Sequence, residues 1–169
     1  MTREEFIKVL DGKGYSYEIQ GDKIIVTEVG DVDLDYLTSL PRGVEFRNGG
    51  GVDLISLTSL PPGVEFNNEG DVFLNSLTSL PPGVEFRNGG VVNLRALTSL
   101  PSGVEFRNRG SVWLGSLTSL SPGVEFKNGG YVSLDSLIDG WFDGWNGNIE
   151  GIDSNTLLNL MIKQGVFER

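Results

Sequence analysis

The sequence contains no cysteine and no histidine. These absences exclude disulfides, thiol nucleophiles, Cys/His zinc sites and every mechanism that moves a proton through an imidazole. A basic excess is missing too: 13 Lys and Arg stand against 23 Asp and Glu, a net charge of −10. A broad cationic footprint for nucleic acid or anionic lipid is therefore not expected. No apolar run approaches the roughly 18 residues that suggest a membrane-spanning helix. Met1–Glu5 does not begin as a signal peptide does, so the reading is a cytoplasmic chain. Glycine is what abounds, 24 of 169 residues, and the 38% apolar content still permits a folded core.

Self-similarity organises the chain. Leu37-Thr-Ser-Leu-Pro-Arg-Gly-Val-Glu-Phe46 recurs every 20 residues, from Leu57, Leu77, Leu97 and Leu117, with few changes. A second motif, Asn-x-Gly-x-Val-x-Leu, runs between, as in Asn88 to Leu94. Six apolar rows result, led by Val32, Leu34, Leu37, Leu40, Val44 and Phe46. Val-x-Leu and Val-x-Phe alternate with the period of a strand, not with the three-and-four spacing of a helix. Each coil is read as two short strands, near 32–34 and 44–46 in the first, that stack in parallel on those of the next coil. One coil cannot bury its apolar side alone; stacking makes the core continuous. The fold expected is mainly β, a parallel β-solenoid of about six 20-residue coils over residues 31–137.

Fourteen glycines fall in the rows of Gly43, Gly30 and Gly49, and all seven prolines lie at the corner after the Leu-Thr-Ser-Leu element. A recurring turn at positive φ explains the glycines, and the prolines mark where strand pairing stops. Asn48, Asn68, Asn88, Asn108 and Asn128 form a row whose amides are expected to bond each other and the turn backbone. Both ends need caps. Residues 1–30 read as a helix, opened by the Thr2-x-x-Glu5 capping box, followed by a hairpin around Gly21-Asp22. Residues 138–169 read as a C-terminal cap with a helix over 154–164, in which Trp141, Phe142 and Trp145 form an apolar lid over the last coil.

The Leu-x-x-Leu-Pro element, repeated through residues 31–137, resembles the leucine-rich-repeat family, especially its short bacterial and phage type. That resemblance implies a protein-binding scaffold. One departure stands out: the family's Asn after the Leu-x-Leu strand is matched only by Asn75, while the recurring Asn follows the second strand. A flatter, more β-rich coil or a square, pentapeptide-like solenoid are both compatible with this.

The coils differ from one another mainly beside the Val-x-Leu strand. One row reads Asp31, Gly51, Asp71, Val91, Ser111, Tyr131; the next reads Asp33, Asp53, Phe73, Asn93, Trp113, Ser133. A third reads Asp35, Ile55, Asn75, Arg95, Gly115, Asp135. Alternation puts these on the side opposite Val and Leu, a face expected to be exposed. The candidate partner-binding residues are Asp33, Asp35, Asp53, Ile55, Asp71, Phe73, Asn93, Arg95, Trp113 and Tyr131. Aromatic and Arg side chains are enriched among interface hot spots. Charge is polarised along the chain: residues 1–80 hold 14 acids and 6 bases, whereas residues 81–130 hold 3 acids and 5 bases.

The other strand carries Glu45, Glu65, Glu85, Glu105 and Glu125, each followed two residues on by Arg47, Asn67, Arg87, Arg107 or Lys127. This reads as a solvated charge ladder that discourages sheet aggregation; a phosphate-mimicking stripe is the alternative. The clustered aspartates lack the closing Glu of a calcium loop, so no metal is expected. Serine has no histidine base, there is no Ser-x-x-Lys pair, and no phosphate-binding glycine motif occurs. The expectation is a non-enzymatic scaffold without cofactor that presents the variable strand face to a protein partner. An acidic, phage-type inhibitor that blocks a nucleic-acid-binding protein is the second reading.

Overall fold

The computed structural model describes residues 1–121, 123–134, 136, 159 and 162. Thr2 opens helix α1 (Arg3–Lys13) with both halves of the capping box in place, and Gly14 closes it at φ 73°. Phe6 and Leu10 bury its inner face. Strands β1 (Tyr17–Gln20) and β2 (Lys23–Val26) then form an antiparallel hairpin. The Arg3 guanidinium ties the helix to the hairpin turn by donating to the carbonyls of Gly21 and Asp22.

The hairpin's second strand is also the first rung of the solenoid. Ile24, Ile25 and Val26 pair in parallel with Val44, Glu45 and Phe46. From there the sheet climbs through Glu65–Phe66, Glu85–Phe86, Glu105–Phe106 and Glu125–Phe126. We call it the Val-Glu-Phe sheet. A second sheet, the Val-x-Leu sheet, stacks Val32–Asp33, Val52–Asp53, Val72–Phe73, Val92–Asn93, Val112–Trp113 and Val132–Ser133 in parallel. Each register step is 20 residues, so equivalent residues of successive coils are neighbours. A mainly β, parallel β-solenoid is thus the fold, and α1 is the one complete helix among the described residues.

Between the sheets the repeated rows become columns. Phe46, Phe66, Phe86, Phe106 and Phe126 stack with ring centroids 5.0–5.5 Å apart. The Val and Leu rows beside them are buried from the first coil to the last described one, apart from half-buried Val132 at the end. Burial of one such side chain contributes about 1.5–3 kcal/mol, so the column is the main source of cohesion. Among the described residues the strand pairing is shortest near the double prolines. There Glu65–Phe66 and Glu85–Phe86 are paired at the Phe residues alone, beside a surface depression of about 470 Å³ lined by Pro62, Pro81 and Pro82.

The glycine rows have two different causes, not one. Gly43, Gly63, Gly83, Gly103 and Gly123 do adopt φ between 71 and 79°, where a side chain is strained. The rows of Gly50 and Gly49 have no positive φ; there the coil beneath leaves no room. A Cβ on Gly50 would lie 2.6 Å from the Asp31 nitrogen, whereas Gly30, with no coil beneath it, has nothing within 4 Å. On Gly49, Gly89 and Gly129 a Cβ would collide with the carbonyl oxygens of Val29, Glu69 and Arg109. Glu69 and Arg109 occupy the same turn position one coil away, so the turn alternates with a period of two coils.

The asparagine row bonds the turn backbone rather than its own neighbours. Asn68 Nδ2, for example, donates to the carbonyls of Gly50, Gly70 and Asp71 at 3.0, 3.1 and 3.3 Å. At the far end a side chain imitates the next strand. Asn159 Nδ2 donates to Phe126 O at 2.6 Å, and Phe126 N–H donates to Asn159 Oδ1 at 2.9 Å. Asn159 and buried Ile162 are helical. The remainder of the expected 138–169 cap, including Trp141, Phe142 and Trp145, lies outside the described residues.

Candidate partner-binding face

Alternation along each short strand decides which side chains leave the core of the Val-x-Leu sheet. Val32 and Leu34 are buried and Asp33 between them is exposed. The same geometry brings Asp33, Asp53, Phe73, Asn93, Trp113 and Ser133 side by side in one outward row. Neighbours in that row are about 4.8 Å apart, the strand spacing.

The row divides in two. At its N-terminal end, Asp31, Asp33, Asp53 and Asp71 line a depression of about 470 Å³ together with Gly51 and Phe73. Two of these carboxylates serve the backbone: Asp31 Oδ1 accepts from Gly51 N–H at 2.6 Å and Asp71 Oδ1 from Val91 N–H at 2.7 Å. Asp71 is therefore partly structural, a role that its place in a variable row does not reveal. Asp53 is half-buried, and its carboxyl is pushed above the usual range. Desolvation is the main cause, reinforced by the charges of Asp33 and Asp35 and opposed by the Ile55 N–H. Asp33 meets the N-terminal cap: Lys13 Nζ lies 3.8 Å from its carboxylate and Tyr15 Oη accepts from its N–H at 2.9 Å.

Towards the C-terminal end the chemistry changes. The Arg95 guanidinium lies over the Trp113 ring, 4.5 Å from its centroid. Trp113 Nε1 donates to Tyr131 Oη at 3.1 Å. The structure thus joins three candidate residues from three coils into one aromatic–cation cluster. Cation–π contact of this kind contributes about 0.5–1 kcal/mol at an exposed site and holds the guanidinium in place.

Exposure of the face is uneven, which corrects the expectation of an open surface. Asp33, Asp35, Arg95 and Tyr131 are exposed; Asp53, Ile55, Asp71, Phe73 and Trp113 are half-buried. Asn93 is 3% exposed. It points outward, but its register neighbours are Phe73 and Trp113, and a short side chain between two long ones is covered.

The opposite face is uniform and paired with itself. Arg87, Arg107 and Lys127 each pair with the Glu two residues before them. Asn67 breaks the cation row, and Lys23 from β2 fills the gap, with its Nζ 2.6 Å from Glu65 and 3.5 Å from Glu45. The expected solvated ladder is corrected at Glu45, which is 1% exposed beneath Lys23, Arg47 and Asn67. Burial alone would raise its pKa, but the hydrogen bonds from Arg47 and Asn67 and the charges of Arg47 and Lys23 bring it below the usual range. No signal in the repeat points to Lys23, because it lies in the cap.

Among the described residues no three carboxylates converge as a metal site, and no helix is long and apolar enough to cross a membrane. No protein-family model, curated protein or solved structure matches the chain.

Proposed function

We propose that the protein is a non-enzymatic, cytoplasmic repeat scaffold that binds a protein partner through the outer face of the Val-x-Leu sheet. The observation that carries this reading is the contrast between two faces built on one backbone repeat. The Glu face keeps one residue pattern and neutralises its charges internally, whereas the Val-x-Leu face changes in every coil. Its resemblance to leucine-rich repeats, whose members are mostly protein-binding scaffolds, supports the same reading. Function here is rigid presentation: the backbone is ordered before binding, so little conformational entropy is lost on association. No cofactor is required.

Pull-down with the Phe73→Ala/Trp113→Ala double variant tests the face. Loss of a partner that wild type retains, with retention by a Glu85→Gln/Glu105→Gln variant, is the expected outcome. Equal recovery of every partner by all three proteins would sink the assignment. The acidic-inhibitor reading gains nothing from the Glu row, since Arg, Lys and Asn interrupt it as an anionic stripe.

A further inference from the structure

The cluster of Arg95, Trp113 and Tyr131 is held together internally, yet its donors lack an acceptor. Residues 81–130 hold 3 acids and 5 bases. The three acids, Glu85, Glu105 and Glu125, are paired with Arg87, Arg107 and Lys127 on the Val-Glu-Phe sheet. The excess positive charge therefore resides in Arg95 and Arg109, and of these Arg95 is the one seated on an aromatic ring. Stacking occupies a face of the guanidinium. Its N–H edge, the part that grips a carboxylate in a bidentate fork, has no acceptor among the described residues. Tyr131 is in a similar condition. Its Oη accepts from Trp113 Nε1, but its own O–H donates to no described residue.

Shape adds a second argument. The neighbours of Trp113 on this face are all short: Asn93 and Ser133 in register on either side, Ser111 and Gly115 two residues before and after. Arg95, Trp113 and Tyr131 thus form a diagonal ridge that advances one coil at each step, with small residues beside it. Tyr131 is 60% exposed at its end. Arg, Trp and Tyr are the residue types enriched among interface hot spots. Contacts within the ridge order these side chains in advance, which limits the entropy lost on binding.

Both open groups are donors, so the occupant is an acceptor. One guanidinium matches one carboxylate. A phosphate monoester, with a charge of about −1.5 to −2, is matched less well by a single cation, and the chain as a whole carries −10. The N–H groups of Val112 and Leu114 beneath the ridge are spent on the ladder. No backbone nest is therefore built there for a chain terminus, and a side-chain carboxylate fits better.

We propose that this ridge takes an Asp or Glu side chain of a protein partner on the N–H edge of Arg95, with a neighbouring apolar residue of that partner packed on the Tyr131 ring. The inference rests on the scaffold reading above and names the chemistry of its partner.

The test is an NMR titration of the full chain with the blocked pentapeptide acetyl-Ala-Glu-Ala-Phe-Ala-amide, whose carboxylate and ring share one side when extended. Counterparts carry Gln, Lys or phosphoserine in place of the Glu. The Glu peptide is expected to shift the Trp113 Nε1–H and Arg95 Nε–H signals, with affinity falling as salt rises. The Gln peptide should bind about fivefold more weakly, and the Lys peptide more weakly still. Arg95→Gln should weaken the Glu peptide about fivefold, and Arg95→Lys about threefold, since it keeps the charge and loses the fork. Arg87→Gln, on the other sheet, should leave affinity unchanged. The peptide comparison uses the wild-type chain, so it stands whatever a variant does to folding. No shift of the Trp113 signal, equal affinity for the Glu and Gln peptides, unchanged affinity in Arg95→Gln, or tighter binding of the phosphoserine peptide would each overturn the proposal. If it fails while Phe73→Ala/Trp113→Ala still abolishes partner capture, the scaffold reading stands and only the carboxylate-bearing partner falls. If capture also persists, both fall.

Discussion

The two long sheets of this solenoid share a backbone, a period and a core, yet treat charge in opposite ways. On the Val-Glu-Phe sheet a like-charged row is stacked coil upon coil, and nearly every Glu has a cation two residues on. Where the pattern fails, at Asn67, Lys23 supplies the missing charge. On the Val-x-Leu sheet, Asp53 has neither such partner nor full hydration, and Asn93 has an acceptor with no donor. One face satisfies itself; the other leaves polar groups unmatched. The difference separates side chains whose charge the fold neutralises from side chains that it leaves uncompensated.

The largest test removes the compensation on the first face. Lys23→Met/Arg47→Met leaves the Glu45 carboxylate covered and without a cation. The expected loss is about 2 kcal/mol in urea unfolding, below the roughly 3–5 of an interior pair because polar groups, not apolar core, cover it. Next in size is Asn93→Leu, which replaces an orphan amide by an apolar group of similar shape and should gain about 1 kcal/mol in the same measurement. An equal loss in place of that gain would erase the contrast between the faces.

Acid separates the faces by sign. Glu45 has a depressed folded pKa, so its contribution is present above the unfolded carboxylate value and is lost as pH falls through the folded value. Asp53 has a raised folded pKa, so its ionisation costs stability at neutral pH, and the cost vanishes once pH is below its ordinary value of about 3.9. Asp53→Asn should therefore stabilise by about 0.5 kcal/mol at pH 7, screened by its half-exposure, and by nothing at pH 3. Thermal melts at the two pH values check this. Smallest of all, Glu85→Gln should change stability by no more than about 0.5 kcal/mol, since its pairing with Arg87 is exposed.

Much of this was legible in the residues. A strict 20-residue period makes each row a column, and Val-x-Leu alternation places Asp33, Phe73 and Trp113 on one side. The capping box at Thr2 and the hairpin at Gly21 were equally readable, because both are local. The two-coil alternation was written in Gly49, Glu69, Gly89, Arg109 and Gly129, but its meaning was not. It depends on which backbone atom of the lower coil sits beneath each turn. Asp71 looked like any other variable residue until its bond to Val91 N–H was seen.

Period and alternation by themselves determined the solenoid, its two long parallel sheets, the Phe column and the side from which each residue emerges. These follow from strand geometry and the need of each coil to bury an apolar side. Tertiary structure alone decided what emergence means. Asn93 and Glu45 both leave the core; Asn93 is covered by neighbours from the coils on either side, and Glu45 by Lys23 and Asn67 of adjacent coils together with its own Arg47. Accessibility on an outer face depends on the lengths of side chains about 4.8 Å away in space, and most of those neighbours lie about twenty residues away in the chain.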